Sequence, residues 1–335
     1  MDSLTQIVLG AAVGEVVLGK KAGNRAMLWG AIAGTIPDLD VVVNLFTDDL
    51  TANELHRGVT HSLVFSVLMA PALAWLITKI YRRKPRGSLR DWTKLSFWAF
   101  VTHPLLDCHT TWGTQFFWPF DLRIAYQNIN VVDPIYTVPF LIILLVVLFI
   151  HREKALRRKL TWIGIGLSSL YMVYTIGLKF YVMEVFESSF KHEEKYRMSV
   201  SPGLGNTILW MSLVETEDNM YFGTYSLMDE DKDVHFALYP KQLEKRESLR
   251  AYRNFQRLEK LTKGWYLLDQ KEDTTYLCDM RFGKYTVSDE QDFTFRYTLE
   301  VEDNHMQVTQ ERPDPERFKG FFPDYIDRVL GKEFH

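Results

Sequence analysis

The chain has 335 residues, with 39 Lys+Arg against 42 Asp+Glu, nine His and two Cys. Its charge is unevenly divided: residues 1–184 hold 18 basic and 13 acidic groups, residues 185–335 hold 21 and 29, and nearly all long apolar runs lie in the first part. That split excludes a purely soluble enzyme, a disordered protein and a disulfide-stapled secreted domain. Cys108 and Cys278 alone cannot build a zinc ribbon, and neither half concentrates basic charge as a nucleic-acid binder does. The expectation is a mainly α, polytopic membrane bundle of about six helices over 1–184, followed by a small α+β extracytoplasmic domain over 185–335.

Six apolar segments follow one another at roughly 4–19, 26–46, 62–78, 92–108, 134–150 and 161–183. A helix rising about 1.5 Å per residue needs roughly 17–25 residues to cross the hydrocarbon core. The third (SLVFSVLMAPALAWLIT), fifth and sixth are long and apolar. The first is short and carries Glu15; the second is interrupted by Gly34, Pro37, Asp38 and Asp40; the fourth carries His103, Pro104 and Asp107. The first does not read as a cleaved signal peptide, because Lys20, Lys21 and Arg25 follow the apolar run instead of preceding it. Loops 20–25, 79–94 and 151–160 hold fifteen Lys or Arg, whereas 47–61 and 109–133 hold only Arg57 and Arg123. By the positive-inside rule the basic loops face the cytoplasm, and the N-terminus, the sparse loops and the C-terminal domain face outward. Trp112, Phe116, Phe117, Trp118 and Phe120 suit an interfacial aromatic belt.

Beyond about residue 185 the pattern changes. The β-rich runs 207–217 and 220–229 are joined by Asp218–Asn219 and predict a hairpin. Further strands are predicted at 234–238, 264–269, 274–281, 292–302 and 304–309, and helices at 241–262 and 315–330, the latter after Pro313 and Pro315. This mainly antiparallel domain carries no nucleophile elbow, Gly-rich phosphate loop or metal motif, so it reads as a lid, docking or stability module. Lys191, Lys195 and Arg197 suit either headgroup contact or an ordinary charged linker.

Ionisable groups inside apolar segments are costly, and each is a functional candidate or a helix-to-helix hydrogen bond. Asp38 and Asp40 in GTIPDLD are i,i+2, and reach one site only if the helix breaks near Gly34–Pro37. His56 and His61 in HRGVTH are i,i+5, with Gly58 allowing a turn between them. His103 and Asp107 are i,i+4 and share one helix face. Three neutral imidazoles and three carboxylates form a mixed nitrogen and oxygen set for a divalent metal, zinc first, with manganese or iron as alternatives, and with capacity for two ions. Asp40, Glu54 and Arg57 are the catalytic candidates: an acidic group to manage a proton, and a guanidinium that suits either a phosphate or a surface ion pair. His109 is a seventh ligand candidate or a solvated interfacial ring. Glu15 suits a proton relay or a helix–helix pair. His151, His192, His235, His305 and His335 lack metal spacing and read as surface groups.

Taken together, MDSLTQIVLGAAVGE at the start, PDLD at 37–40, HRGVTHS at 56–62 and HPLLDCHTTWGTQFFWPF at 103–120 resemble the YdjM-like family of inner-membrane metal-dependent hydrolases, a function assigned to that family largely by motif. The resemblance covers roughly residues 1–140. It implies a multi-pass protein of the bacterial inner membrane with Asp38, Asp40, His56, His61, His103 and Asp107 as metal ligands. Many members carry Thr-His near the N-terminus, where this chain has Thr5–Gln6, and a Gln oxygen is a poor zinc ligand. The spread of ligands is also similar to zinc-dependent phospholipase C and P1-type nucleases, a fold-level analogy that favours phosphoester chemistry. The expected activity is hydrolysis of an ester or phosphoester, in a lipid or lipid-linked substrate, at the outer face of the membrane. The alternatives are an ion or solute transporter using the same residues, and a non-catalytic organiser whose helices are stapled by metal. An intramembrane zinc protease is disfavoured, since no HExxH occurs: Arg57 follows His56, and His192–Glu193 lacks a second His.

Overall fold

The computed structural model of the chain describes all residues except 192–196, 273, 288–289, 304, 312–314 and 333–335. Of the positions singled out above, His192, Glu193, Lys195, Pro313 and His335 therefore lie outside the described residues. The chain divides into two compact units: Met1–Val43 with Leu55–Gly177 and Leu204–Asn206, and Asn44–Glu54 with Leu178–Gly203 and Thr207–His335.

In the first unit every one of the apolar segments is helical. Helix α1 (Ser3–Ala22) is capped by Asp2, whose carboxylate accepts the Thr5 N–H at 3.1 Å. Gly23 alone separates it from α2 (Asn24–Thr35), in a backbone conformation (φ 61°) that suits glycine. The two helices run antiparallel and touch backbone to backbone. A Cβ on Gly10 would overlap the Gly30 carbonyl, one on Gly14 would overlap the Ala26 carbonyl, and one on Gly34 would come within 2.6 Å of the Gln6 oxygen. Small residues spaced by four on both helices permit this approach.

The second segment does not break into irregular backbone after Gly34. It tightens into a 3-10 helix, Ile36–Leu45. Pro37 has no N–H to continue the α ladder, and the change of winding falls beside it. With three residues per turn, positions i and i+2 lie about 120° apart around the axis, against about 160° in an α-helix. Asp38 and Asp40 are thereby brought toward a common side.

After α3 (Asp49–Leu55) and a short 3-10 turn at Val59–His61 comes α4 (Leu63–Ile80), capped by Ser62. Helix α5 (Leu89–Asp107) starts in a reciprocal Ser88–Asp91 capping box. Helix α6 (Pro134–Leu148) begins with proline at its first position and Asp133 as cap, and α7 (Ala155–Ser189) follows. Helices α1, α4 and α7, and α2 with its 3-10 continuation, are long and apolar enough to cross a membrane; α6 is a shorter apolar helix, and α5 falls outside that set. One cluster packs Trp92, Leu95 and Phe100 of α5 on Leu73 and Ile77 of α4. Another packs Tyr136, Phe140 and Leu144 of α6 on Val8 and Ala12 of α1. Glu15 takes the helix-pair role: Arg157 of α7 grips it with two bonds, 2.7 and 2.6 Å, both side chains being buried.

The second unit contains two four-stranded antiparallel sheets with strands in sequence order. The first holds β1 (Arg197–Pro202), β2 (Leu209–Glu215), β3 (Asn219–Ser226) and β4 (Phe236–Pro240). The second holds β5 (Tyr266–Lys271), β6 (Thr274–Lys284), β7 (Phe293–Glu302) and β8 (His305–Gln310). The predicted hairpin is β2–β3, registered from Leu209↔Ser226 to Glu215↔Met220. Strand β1 has no counterpart among the predicted elements, and the predicted helix 241–262 is two, α8 (Leu243–Leu249) and α9 (Arg253–Leu261), before α10 (Pro315–Val329) closes the chain. Leu213, Phe222, Leu267, Cys278 and Phe293 from both sheets share one core. The units divide within α7 after Gly177, and Val182, Val185 and Phe186 beyond that point pack on Val200, Trp210 and Tyr225.

Candidate metal centre

Four side chains from three stretches of the first unit converge: Asp38 from the 3-10 helix after α2, His61 from the turn before α4, and His103 and Asp107 from the end of α5. One ligand atom from each lies within 4.8 Å of the others. The two Nε2 atoms face each other at 3.1 Å. Asp38 Oδ1 is 3.3 Å from His61 Nε2 and 3.4 Å from His103 Nε2; Asp107 Oδ2 is 3.4 and 3.5 Å from the same atoms. A tetrahedral ion bound at about 2.0–2.2 Å to nitrogen and oxygen has ligand–ligand edges of roughly 3.3–3.6 Å. The four imidazole–carboxylate separations, 3.3–3.5 Å, fit that frame, and the Nε2–Nε2 distance is slightly shorter at 3.1 Å.

The proton positions support the same conclusion. His103 Nδ1 lies 2.6 Å from the Gly34 carbonyl, which can only accept, so Nδ1 carries a hydrogen and Nε2 is the nitrogen turned to the cluster. His61 Nδ1 lies 3.0 Å from Thr60 Oγ1 and 3.5 Å from Asp40 Oδ2. Asp107 is fully buried. Its Oδ1 accepts from Gln6 Nε2 at 2.9 Å and from the Met1 amino group, while Oδ2 has no well-formed hydrogen bond and faces the imidazoles and Arg57 Nε at 3.2 Å. An unsatisfied carboxylate oxygen opposite an imidazole nitrogen is an arrangement that a cation satisfies. The donor set therefore fits a divalent ion with imidazole and carboxylate preference.

Asp40 and His56 are not among the four. They pair with each other, His56 Nδ1 to Asp40 Oδ1 at 3.1 Å, and Asp40 Oδ2 also accepts the Arg57 backbone N–H at 2.8 Å. Asp40 thus links the half-buried His56 to the outer nitrogen of His61. His56 packs edge-on against Trp112, with ring centroids 5.7 Å apart. Arg57 is buried, adopts a positive φ of 56°, and donates from Nη1 to Thr110 Oγ1 at 2.6 Å. Glu54 belongs to the second unit, where Arg257 holds its carboxylate at 3.0 and 2.7 Å. His109 bonds Asn128 at 2.8 Å, and burial lowers its pKa below the ordinary value against that hydrogen bond.

Three contributors were not singled out in the sequence. The Gly34 carbonyl orients His103, and Thr60 and Thr110 hold His61 and Arg57. Backbone carbonyls leave no trace in residue type, although the small-residue spacing of Gly10, Gly14, Gly30 and Gly34 was visible and marks where α2 is held. Gln6 has a place at the centre: its amide donates to Asp107 and, at 3.3 Å, to the His103 carbonyl.

The family model described as YdjM inner membrane protein matches residues 1–183, more than half of the chain and the whole of this centre. The chain belongs to the YdjM inner membrane protein family. No curated protein and no solved structure matches it. The family match stops near the end of α7 and does not extend over the β sheets.

Proposed function

We propose that this family member is a membrane-embedded, metal-dependent hydrolase acting on an ester or phosphoester of a lipid or lipid-linked substrate at the outer face of the inner membrane. The observation that carries the reading is the pair of inward-facing imidazole nitrogens flanked by two carboxylate oxygens. Asp38, His61, His103 and Asp107 would hold one divalent ion, zinc being the best match to the donor set. Such an ion, when bound, supplies Lewis acidity and acidifies water at neutral pH.

The chain's own groups have separable tasks. Asp40 orients His56 through Nδ1, which leaves the half-buried ring able to take or deliver a proton at Nε2. Arg57 balances the Asp107 charge and offers a cation beside the ligands. The exposed apolar side chains Leu39, Val59, Leu105, Phe117 and Phe120 on the same stretches favour a lipidic substrate. Outward orientation rests on the loop charges: with Arg157 paired to Glu15, fourteen basic residues remain on one set of loops against two on the other.

The burial of His61, His103 and Asp107 favours a second reading, in which the ion only staples helices. Glu15, the acidic group in the first helix that a transport pathway would use, is instead paired with Arg157. Elemental analysis of the purified chain should give about one metal per chain, falling to background in His61→Ala and His103→Ala. Unchanged metal in both variants would falsify the site. Phospholipid and phosphoester turnover abolished by chelator and restored by zinc separates the enzyme from the staple; a metal-loaded chain without turnover on either class supports the staple.

A further inference from the structure

The β sheets of the second unit lie outside the family match, whereas its Asn44–Glu54 stretch lies within it. That stretch of chain links the metal-centre residues. Asp38 and Asp40 lie before Val43, and His56 and His61 lie after Leu55; the intervening Asn44–Glu54 belongs to the second unit. Three kinds of contact hold it there. Leu50 of α3 is 1% exposed, among Phe255 and Leu258 of α9 and Tyr297 and Leu299 of β7. Arg257 of α9 grips both Glu54 oxygens and donates from Nη2 to Thr51 Oγ1 at 2.8 Å. Gln310 of β8 donates its backbone N–H to Asp49 at 3.0 Å, and its side-chain oxygen accepts from Asn53 at 2.8 Å.

Both ends of α3 are thus secured, Asp49 at its start and Glu54 near its close. Only Leu55 separates Glu54 from His56. A free loop of this length would let its ends wander, and pinning its middle removes that freedom before any ligand arrives.

We propose that the β domain is a clamp: by seizing α3 through Leu50 and the Glu54–Arg257 pair, it positions the flanking segments that carry Asp38, Asp40, His56 and His61. Leu50, Glu54 and Arg257 are positioning residues that act through the backbone. The effect on ion affinity rests on the metal reading above; the effect on the backbone does not.

Hydrogen exchange of the full chain in detergent tests it, comparing wild type with Leu50→Ala, Arg257→Ala and the swap Glu54→Arg with Arg257→Glu. Both alanine variants should lose protection across 36–43 and 55–61 as well as 44–54, with α6 and the β2–β3 hairpin unchanged, and the swap should regain what Arg257→Ala loses. Loss confined to 44–54, or a swap no better than Arg257→Ala, overturns the clamp. Should Leu50→Ala fail to fold, Arg257→Ala and the swap decide. Cobalt(II) titration supplies the second arm: affinity should fall about tenfold in Arg257→Ala and recover in the swap, as for other groups that support ligands. A wild type that binds no cobalt sinks the metal reading, and the exchange pattern then decides the clamp by itself. Equal binding by wild type and Arg257→Ala, with His61→Ala inactive in binding, sinks the clamp alone.

Discussion

A neutral imidazole has one N–H, and the group that accepts it decides what the other nitrogen can do. For His103 the acceptor is the Gly34 carbonyl, and for His56 the partner is Asp40. Asp40 is chemically the same residue as Asp38 and only two positions away, yet one faces the ligand cluster and the other gathers His56, the Arg57 N–H and Thr60. Residue type could not separate those roles. The same principle sets a pH dependence in the β domain. Burial pushes the Glu259 carboxyl up, but hydrogen bonds from Arg250, Tyr266 and Arg246 outweigh it and hold the group below its ordinary value. A depressed carboxylate stabilises the fold above its unfolded pKa of about 4.3, and that contribution is lost as pH falls through the lower folded value. Glu259→Gln should lower stability by about 1–3 kcal/mol at pH 7. The gap to wild type, measured by thermal unfolding, should narrow steadily below pH 4.5; a gap that widens in acid contradicts the assignment.

Among elements, the α1–α2 hairpin governs the centre because it sets where Gly34 and Gln6 lie. Its contact is backbone on backbone, so no side-chain rotation relieves an added group. Gly30→Val should destabilise the first unit by about 1–3 kcal/mol or more. It should also displace the Gly34 carbonyl from His103 and lower metal affinity. A Gly30→Val chain with wild-type melting and wild-type metal content would show that the helices are free to separate. The buried Glu15–Arg157 pair ties α7 to the same hairpin, and removing either partner leaves an uncompensated charge.

On the scale of the whole molecule, the charge asymmetry between loops predicts the side on which the second unit lies. Alkaline phosphatase joined after residue 335 should be active and a fluorescent protein at the same place dark, as expected for an extracytoplasmic end. The reverse pattern would invert the topology and place the metal centre at the cytoplasmic face. The division of the chain into an apolar helical part and a polar β part follows from composition alone. The crossing of Asn44–Glu54 into the second unit does not, because Leu50 and Glu54 are an ordinary apolar residue and an ordinary acid in a short helix.

The sequence alone determined the apolar helices, the β2–β3 hairpin and the i,i+4 relation of His103 to Asp107, since each rests on periodicity or spacing within one element. It also held the family's motifs, which the match over residues 1–183 bears out. Only the tertiary structure decided which of the six acid and imidazole groups meet. That choice depends on a 3-10 winding after Gly34 and on glycines that let two backbones touch. These are long-range contacts between residues whose types are common, and local pattern carries no record of such partners.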